Sequence, residues 1–225
     1  MKGMTEFIRA YGSVLAKERE GEEPKKRFRP SIAITRELGS GGRIIAGMLA
    51  ERLGFQVAGK EIINQIAERI KVPKDLLGLL DERPGNTLEI FGAGLLHGAA
   101  ISESDYDRVL KGTLGTLLEL GSLVVVGRGG VFVAKPGQAL RVMVVAPMER
   151  RVQNYVVYEN LTEKKAREKL TEIDAQRHQF HKRHFGHTEV DSNHYDLTIN
   201  TEYLSMCSAT EVILTAYREL FGPPS

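Results

Sequence analysis

The sequence predicts an α/β protein built on a parallel sheet with helices on both faces, preceded by a helical extension. Three observations carry this expectation. Two apolar runs, Leu123-Val124-Val125-Val126 and Val142-Met143-Val144-Val145, lack the polar alternation of a half-exposed strand, as strands covered on both faces do. Long helical patterns separate the strand candidates, and that alternation favours parallel strands joined by right-handed crossovers. A glycine turn, Gly39-Ser40-Gly41-Gly42-Arg43, stands between the first strand and the first long helix. There, backbone amides and a helix dipole worth about half a unit charge converge on an anion, phosphate being the natural guest.

The elements follow in order. Residues 5–19 set Phe7, Ile8, Tyr11, Val14 and Leu15 at helical spacing, and a charged stretch from Glu18 to Arg29 ends at Pro30. Residues 1–30 are thus predicted to form an amphipathic helix and charged linker, whose apolar face either docks on its own domain or makes a homodimer contact. The main domain, 31–225, opens with the β-rich run Ser31 to Thr35. Arg43 to Leu53 then carries Ile45, Met48, Leu49 and Leu53 on one helix face. Phe55 to Ala58 is a weaker strand. Helices are predicted over Glu61–Ile70, Glu103–Leu120, Met148–Glu159, Thr162–Phe185 and Met206–Phe221, with a last strand at Tyr195–Asn200. Ser102-Glu103-Ser104-Asp105 resembles a capping box, and Ser205 supplies a side-chain oxygen to the final helix. Asp81 to Gly98, which contains Arg83-Pro84-Gly85-Asn86, is the least regular segment.

Length and charge narrow the function classes. A chain of 225 residues suits one sheet-centred unit with an appended element. Its 31 basic and 29 acidic residues leave a formal charge of +2, too small a field for nucleic-acid wrapping or membrane adsorption, so any anion site is local. No run approaches the ~18 apolar residues of a membrane span, and the N-terminus lacks a signal-peptide pattern. The single cysteine, Cys207, reads as a small buried thiol in a reducing compartment. Cytoplasm is the expected location.

The glycine turn is a degenerate form of G-x-x-x-x-G-K-[S/T]. Arg36 stands where the first glycine would, Gly42 near the lysine position and Ile44 near the hydroxyl position. The phosphate-binding cation therefore falls to Arg43 or Arg36, each with a planar donor fork. Further along, at ~100° per residue, Arg177 falls in phase with Ala166, Leu170, Ile173 and Phe180. An arginine on that apolar side needs a partner, and Asp174, one turn earlier, is one candidate. The histidines at 178, 181, 184 and 187 recur every third residue and read as partly exposed helix residues rather than metal ligands.

Four segments together resemble the cytidylate-kinase-like family, a branch of the nucleoside monophosphate kinases. They are Ile34-Thr35-Arg36-Glu37-Leu38-Gly39-Ser40-Gly41-Gly42-Arg43, Val124-Val125-Val126-Gly127-Arg128-Gly129-Gly130, Ile173-Asp174-x-x-Arg177 with Phe185-Gly186, and Tyr195-Asp196-Leu197-x-Ile199-Asn200-Thr201. The resemblance covers about residues 31–220. It implies a three-layer P-loop sheet of adenylate-kinase type, with an acceptor-binding insert near 60–120 and a lid near 150–190. It also implies transfer of the ATP γ-phosphoryl to a nucleoside monophosphate, CMP-like, with Mg²⁺ as cofactor.

The same resemblance assigns roles. Gly39, Ser40, Gly41, Gly42 and Arg43 would hold the donor phosphates. Arg128 and Arg177 would grip the acceptor phosphate, Asp174 its ribose, and Arg151 would screen charge from the lid. Arg43, Arg128 and Arg177 would be the catalytic cations, since this chemistry is mostly positioning and charge neutralisation. Three departures stand out: Gly129 occupies the place of a cytosine-reading aspartate, Lys60 stands near a missing acceptor arginine, and only Glu37 offers a stand-in magnesium carboxylate. The alternative expectation is a nucleotide-binding regulatory protein that kept the fold and lost phosphoryl transfer.

Overall fold

The structure is a computed structural model and describes residues 29–59, 103–187 and 191–222. Strands and helices alternate: β1 (Ser31–Arg36), α1 (Gly42–Leu53), β2 (Gln56–Ala58), α2 (Glu103–Leu120), β3 (Leu123–Val126), α3 (Gly130–Val133), β4 (Ala139–Val145), α4 (Met148–Glu159), α5 (Glu163–Phe185), β5 (Leu197–Asn200) and α6 (Met206–Phe221). The predicted N-terminal helix, the helix at 61–70, the loop at 81–98, Lys60 and the side chains of the capping box lie outside the described residues.

The described strands form a five-stranded sheet in the order β2-β3-β1-β4-β5, with every neighbouring pair parallel. The period of two divides the central strands between two cores. Ile32, Ile34, Val124, Val142 and Val144 face Ile45, Leu49, Ile213, Leu214 and Tyr217 of α1 and α6. Ala33, Val125 and Met143 face Tyr106, Leu110, Leu114 and Leu117 of α2, with Phe180 of α5 beside them. Both faces are dry, which is why these strands lack polar alternation. A third cluster of Val152, Tyr155, Ala166 and Leu170 joins α4 to α5.

β1 sits at the centre, and the chain passes to β2 and β3 on one side of it and to β4 and β5 on the other. In such sheets a crevice opens beyond the carboxyl ends of the strands where the winding reverses. The glycine turn leaves the carboxyl end of β1 at that crevice, and the fold has brought it there by strand order alone.

Three sequence expectations need correction. β4 begins at Ala139, three residues before the apolar run suggested, because Arg141 is tolerated on it: its Nη2 lies 2.6 Å from Asp196 Oδ1. Burial pushes the Asp196 carboxyl up, but the hydrogen bonds from Arg141 prevail and hold it below the usual carboxylate range. Cys207 is exposed, not buried, since the first turn of α6 directs Ala209 and Thr210 inward instead. His181 and His184 are buried: the Phe132 ring of α3 packs edge-on against His181, and α2 places Asp107 Oδ1 2.7 Å from His184 Nδ1.

Tyr217, fully buried on α6, donates its hydroxyl proton to the Pro30 carbonyl oxygen at 2.6 Å. Burial pushes its phenol up to about 12 against the weaker opposing pull of Arg29. A folded value above the unfolded one, ~10, means that this stabilisation is complete below pH ~10 and is lost as pH rises towards 12. Thermal unfolding of the wild type against Tyr217→Phe should therefore show a difference that shrinks across that window; a constant difference would contradict the assignment. Among the described residues no helix is long and apolar enough to cross a membrane.

Candidate functional site

The turn between β1 and α1 owes its shape to glycine. Gly39 has φ +83° and Gly41, the N-cap of α1, has φ +83°, a left-handed conformation that costs a side-chain-bearing residue about 1–2 kcal/mol. Space is equally restrictive: a Cβ on Gly39 would sit 2.8 Å from the Arg151 carbonyl oxygen, and one on Gly41 would overlap the Met206 thioether. The first turn of α1 holds no acidic residue, so nothing there opposes the dipole's pull on an anion.

Bonds close the turn from within and clamp it from outside. Ser40, fully buried, donates its hydroxyl to the Glu37 carbonyl oxygen at 2.8 Å, and its amide faces the same oxygen at 3.3 Å. Ser40 thus shapes the turn through its side chain rather than presenting a hydroxyl to a ligand. The next three carbonyls are each claimed by a different residue. Arg151 Nη1 donates to Leu38 O at 3.4 Å, Asn154 Nδ2 to Gly39 O at 2.8 Å, and Thr201 Oγ1 to Ser40 O at 2.8 Å. Among the described residues, no backbone carbonyl accepts from the amides of Gly39 or Gly41.

Arg151 is the hub of this region. Expected on a lid, it is buried in the first turn of α4 with 5% exposure, and its Nε donates to Ala146 O at 3.0 Å. Its guanidinium also meets two carboxylates, Asp174 Oδ2 at 2.5 Å and Glu37 Oε2 at 3.5 Å. The predicted partnership of Asp174 with Arg177 on its own helix is replaced by this bond from α4. Arg177 reaches the sheet instead, donating from Nη1 to the Arg36 carbonyl oxygen at 3.1 Å. Its half-buried place on the apolar side of α5 is thereby explained: it pins α5 to the end of β1.

A cavity of about 360 Å³ lies beside the turn, between the end of β1, β4, β5 and α5. Its walls include Arg36, Glu37, Arg151, Asp174, Arg177 and Tyr195. The volume falls at the small end of ligand pockets, ~300–1,000 Å³. Three arginines and a pair of carboxylates around a partly apolar floor suit a polar, anionic guest that also carries hydroxyls.

Arg128 and Arg43 stand apart from that cavity's walls. Arg128 lies two residues past the end of β3 and is almost fully buried, at 2% exposure. It has φ +58° between Gly127 at +78° and Gly129 at +72°. A non-glycine residue in three consecutive left-handed positions holds its place only because its surroundings impose it, at a cost of about 1–3 kcal/mol. Gly129 is obligatory as well, since a Cβ there would run into the Phe185 ring. Arg43 lies exposed on the first turn of α1, at the mouth of the glycine turn. Among the described residues no group of three histidine, cysteine or acidic side chains converges as metal ligands.

Sequence reasoning missed Asn154 as a partner of the turn, and took Thr201 only as part of a motif. A polar side chain on a helix gives no sign of which distant carbonyl it meets. Glu37 carried a signal, being a carboxylate beside the glycine turn, but its Oε2 accepts the Ala146 amide at 2.9 Å.

Among known proteins, the profile of the cytidylate kinase-like family matches residues 31–203. A solved structure of an uncharacterized protein from Eubacterium ventriosum superposes with a TM-score of 0.61 at 20% identity, covering 84% of this chain and 98% of that one. A shikimate kinase from Acinetobacter baumannii superposes at 0.44 with 16% identity, covering 86% and 95%. One from Bacteroides thetaiotaomicron reaches 0.46 with 10% identity, covering 83% and 97%. No curated protein matches the sequence. With its glycine turn at the carboxyl end of a central parallel strand and more than half its length matched by one profile, the chain belongs to the cytidylate kinase-like family and has a P-loop kinase fold.

Proposed function

We propose that this protein transfers the γ-phosphoryl of ATP to a nucleoside monophosphate, with a CMP-like acceptor. The observation that carries the reading is the pair of Gly39 and Gly41 amides, from which no backbone carbonyl among the described residues accepts, beside a cavity walled by Arg36, Arg177 and Asp174. Amides so placed bind the oxygens of a donor phosphate chain without reorganising. Arg43, at the mouth of the turn, supplies charge to the same chain. Arg177 grips the acceptor phosphate from the cavity wall, Arg128 adds its charge from beyond the end of β3, and Asp174, oriented by Arg151, meets the sugar hydroxyls.

Magnesium fits this site only as a nucleotide-borne ion. Glu37 and Asp174 each commit one oxygen to Arg151 or a backbone amide, so the chain builds no cage, and Mg²⁺ commonly needs only one or two carboxylates beside substrate phosphates. Glu37 is the carboxylate best placed to hold it, and the ion would neutralise phosphate charge. The remaining work is the chain's own: the turn orients the donor, the arginines offset charge on the acceptor, and α4 with α5 limits water.

A second reading has one observation in its favour: Gly42 and Ile44 stand where a phosphate-binding lysine and a hydroxyl would be expected, and Ile44 is exposed at 56%. It makes the protein a nucleotide-binding regulator without turnover. A coupled assay for ADP release across a panel of monophosphates, run beside calorimetry with Mg·ATP, separates the two. ATP binding with turnover on CMP or a neighbouring acceptor is the expected result. Binding with no turnover on any acceptor selects the regulator, and no binding at millimolar ATP removes both.

A further inference from the structure

The turn from 38 to 42 holds three glycines, so it has the largest backbone freedom to lose and little of its own to fix it. The Ser40–Glu37 contacts close one loop of it. The rest of the shape comes from Arg151, Asn154 and Thr201, which bond the carbonyls of residues 38, 39 and 40 in succession. Each trans peptide unit points its N–H opposite to its C=O, so tying a carbonyl to one side aims the following amide to the other. Thr201 on Ser40 O therefore aims the Gly41 amide, and Arg151 on Leu38 O aims that of Gly39. Asn154 on Gly39 O locks the middle peptide, the one a left-handed glycine would most readily let flip. A carbonyl only accepts, so the Asn154 amide nitrogen must be the group presented to it.

Building on the kinase reading above, we propose that Asn154 and Thr201 are positioning residues for the donor-phosphate site, setting its affinity by fixing the two ligand-facing amides from outside the turn. Neither touches the nucleotide. Thr201 is well suited to this: it is 1% exposed, its hydroxyl also lies 3.2 Å from Val145 O, and its amide donates to the same carbonyl. The clamp is thus rooted in β4 and held rigid. Asn154 stands on α4 three residues after Arg151, so one helix face carries two of the three clamps.

The test uses the full chain and titrates Mg·ATP and, separately, inorganic tripolyphosphate into wild type, Asn154→Asp, Thr201→Val and Thr201→Ser. Asn154→Asp keeps size but sets oxygen against oxygen; Thr201→Val keeps shape but removes the hydroxyl. Both are expected to weaken binding of either probe about tenfold, the worth of one buried hydrogen bond, and to raise KM for ATP while leaving KM for the acceptor within about twofold. Thr201→Ser should restore wild-type affinity. Variants that melt within a few degrees of wild type yet bind as tightly would overturn the proposal while leaving the kinase reading intact. An equal rise in both KM values would overturn it too, by reducing the clamp to general stability. Wild type that binds neither probe would defeat the underlying reading instead. Should Thr201→Val fail to fold, the half-buried Asn154→Asp decides the matter.

Discussion

Replacing Arg151 with alanine is expected to cost about 3–5 kcal/mol of folding stability, the usual penalty for stripping one partner from a buried ion pair. The loss is large because the guanidinium meets Asp174 and Glu37 together and also bonds the carbonyls of Ala146 and Leu38. Its removal leaves two carboxylates facing each other in a poorly hydrated space. In a domain of this size that corresponds to a fall of roughly 10 °C in Tm, measured by calorimetry without nucleotide. An arginine that acted only by screening phosphate from a mobile lid would leave the ligand-free melting temperature unchanged. A double-mutant cycle with Asp174→Asn should give strong coupling, whereas additive effects would show that the pair does not hold α4 and α5 together.

Arg128→Ala is expected to lower kcat by about 10²–10³-fold and raise the acceptor KM, with ATP affinity near wild type, as loss of a charge that stabilises the transition state would. The backbone offers a control that separates catalysis from folding. Arg128 has φ +58°, a conformation that glycine adopts freely and alanine does not, so Arg128→Gly should be more stable than Arg128→Ala by about 1 kcal/mol. Both variants should nevertheless lose turnover to the same extent. Activity that tracks stability across the two would reduce the arginine to a structural role, and unchanged turnover would remove it from the site.

The sheet was legible because its strands are short apolar runs set off by turn residues. Leu123–Val126, Met148–Glu159 and Met206–Phe221 occupy the bounds that periodicity gives them. Ser205 caps α6 as its chemistry suggests, its Oγ accepting the Ser208 amide at 3.0 Å. The glycine turn was legible as a turn for the same reason: only Gly39 and Gly41 suit φ +83° there. What a single sequence hides is pairing across elements. Asp174 and Arg177 lie one turn apart and look like partners, yet each bonds a residue remote in the chain, Arg151 and Arg36. The buried histidines escaped for a related reason: helical spacing shows which residues share a face, but not which neighbour covers it. α3 is four residues long, too short for any periodicity to register.

The contact between Gly129 and Phe185 limits which residues position 129 accepts. The position where similar kinases place an aspartate is filled here by an aromatic ring, so a carboxylate introduced at 129 alone has nowhere to go. Gly129→Asp should be deleterious in the native background and tolerated once Phe185→Ala has vacated the space. The two substitutions are therefore ordered: the end of α5 must loosen before residue 129 can acquire an acid.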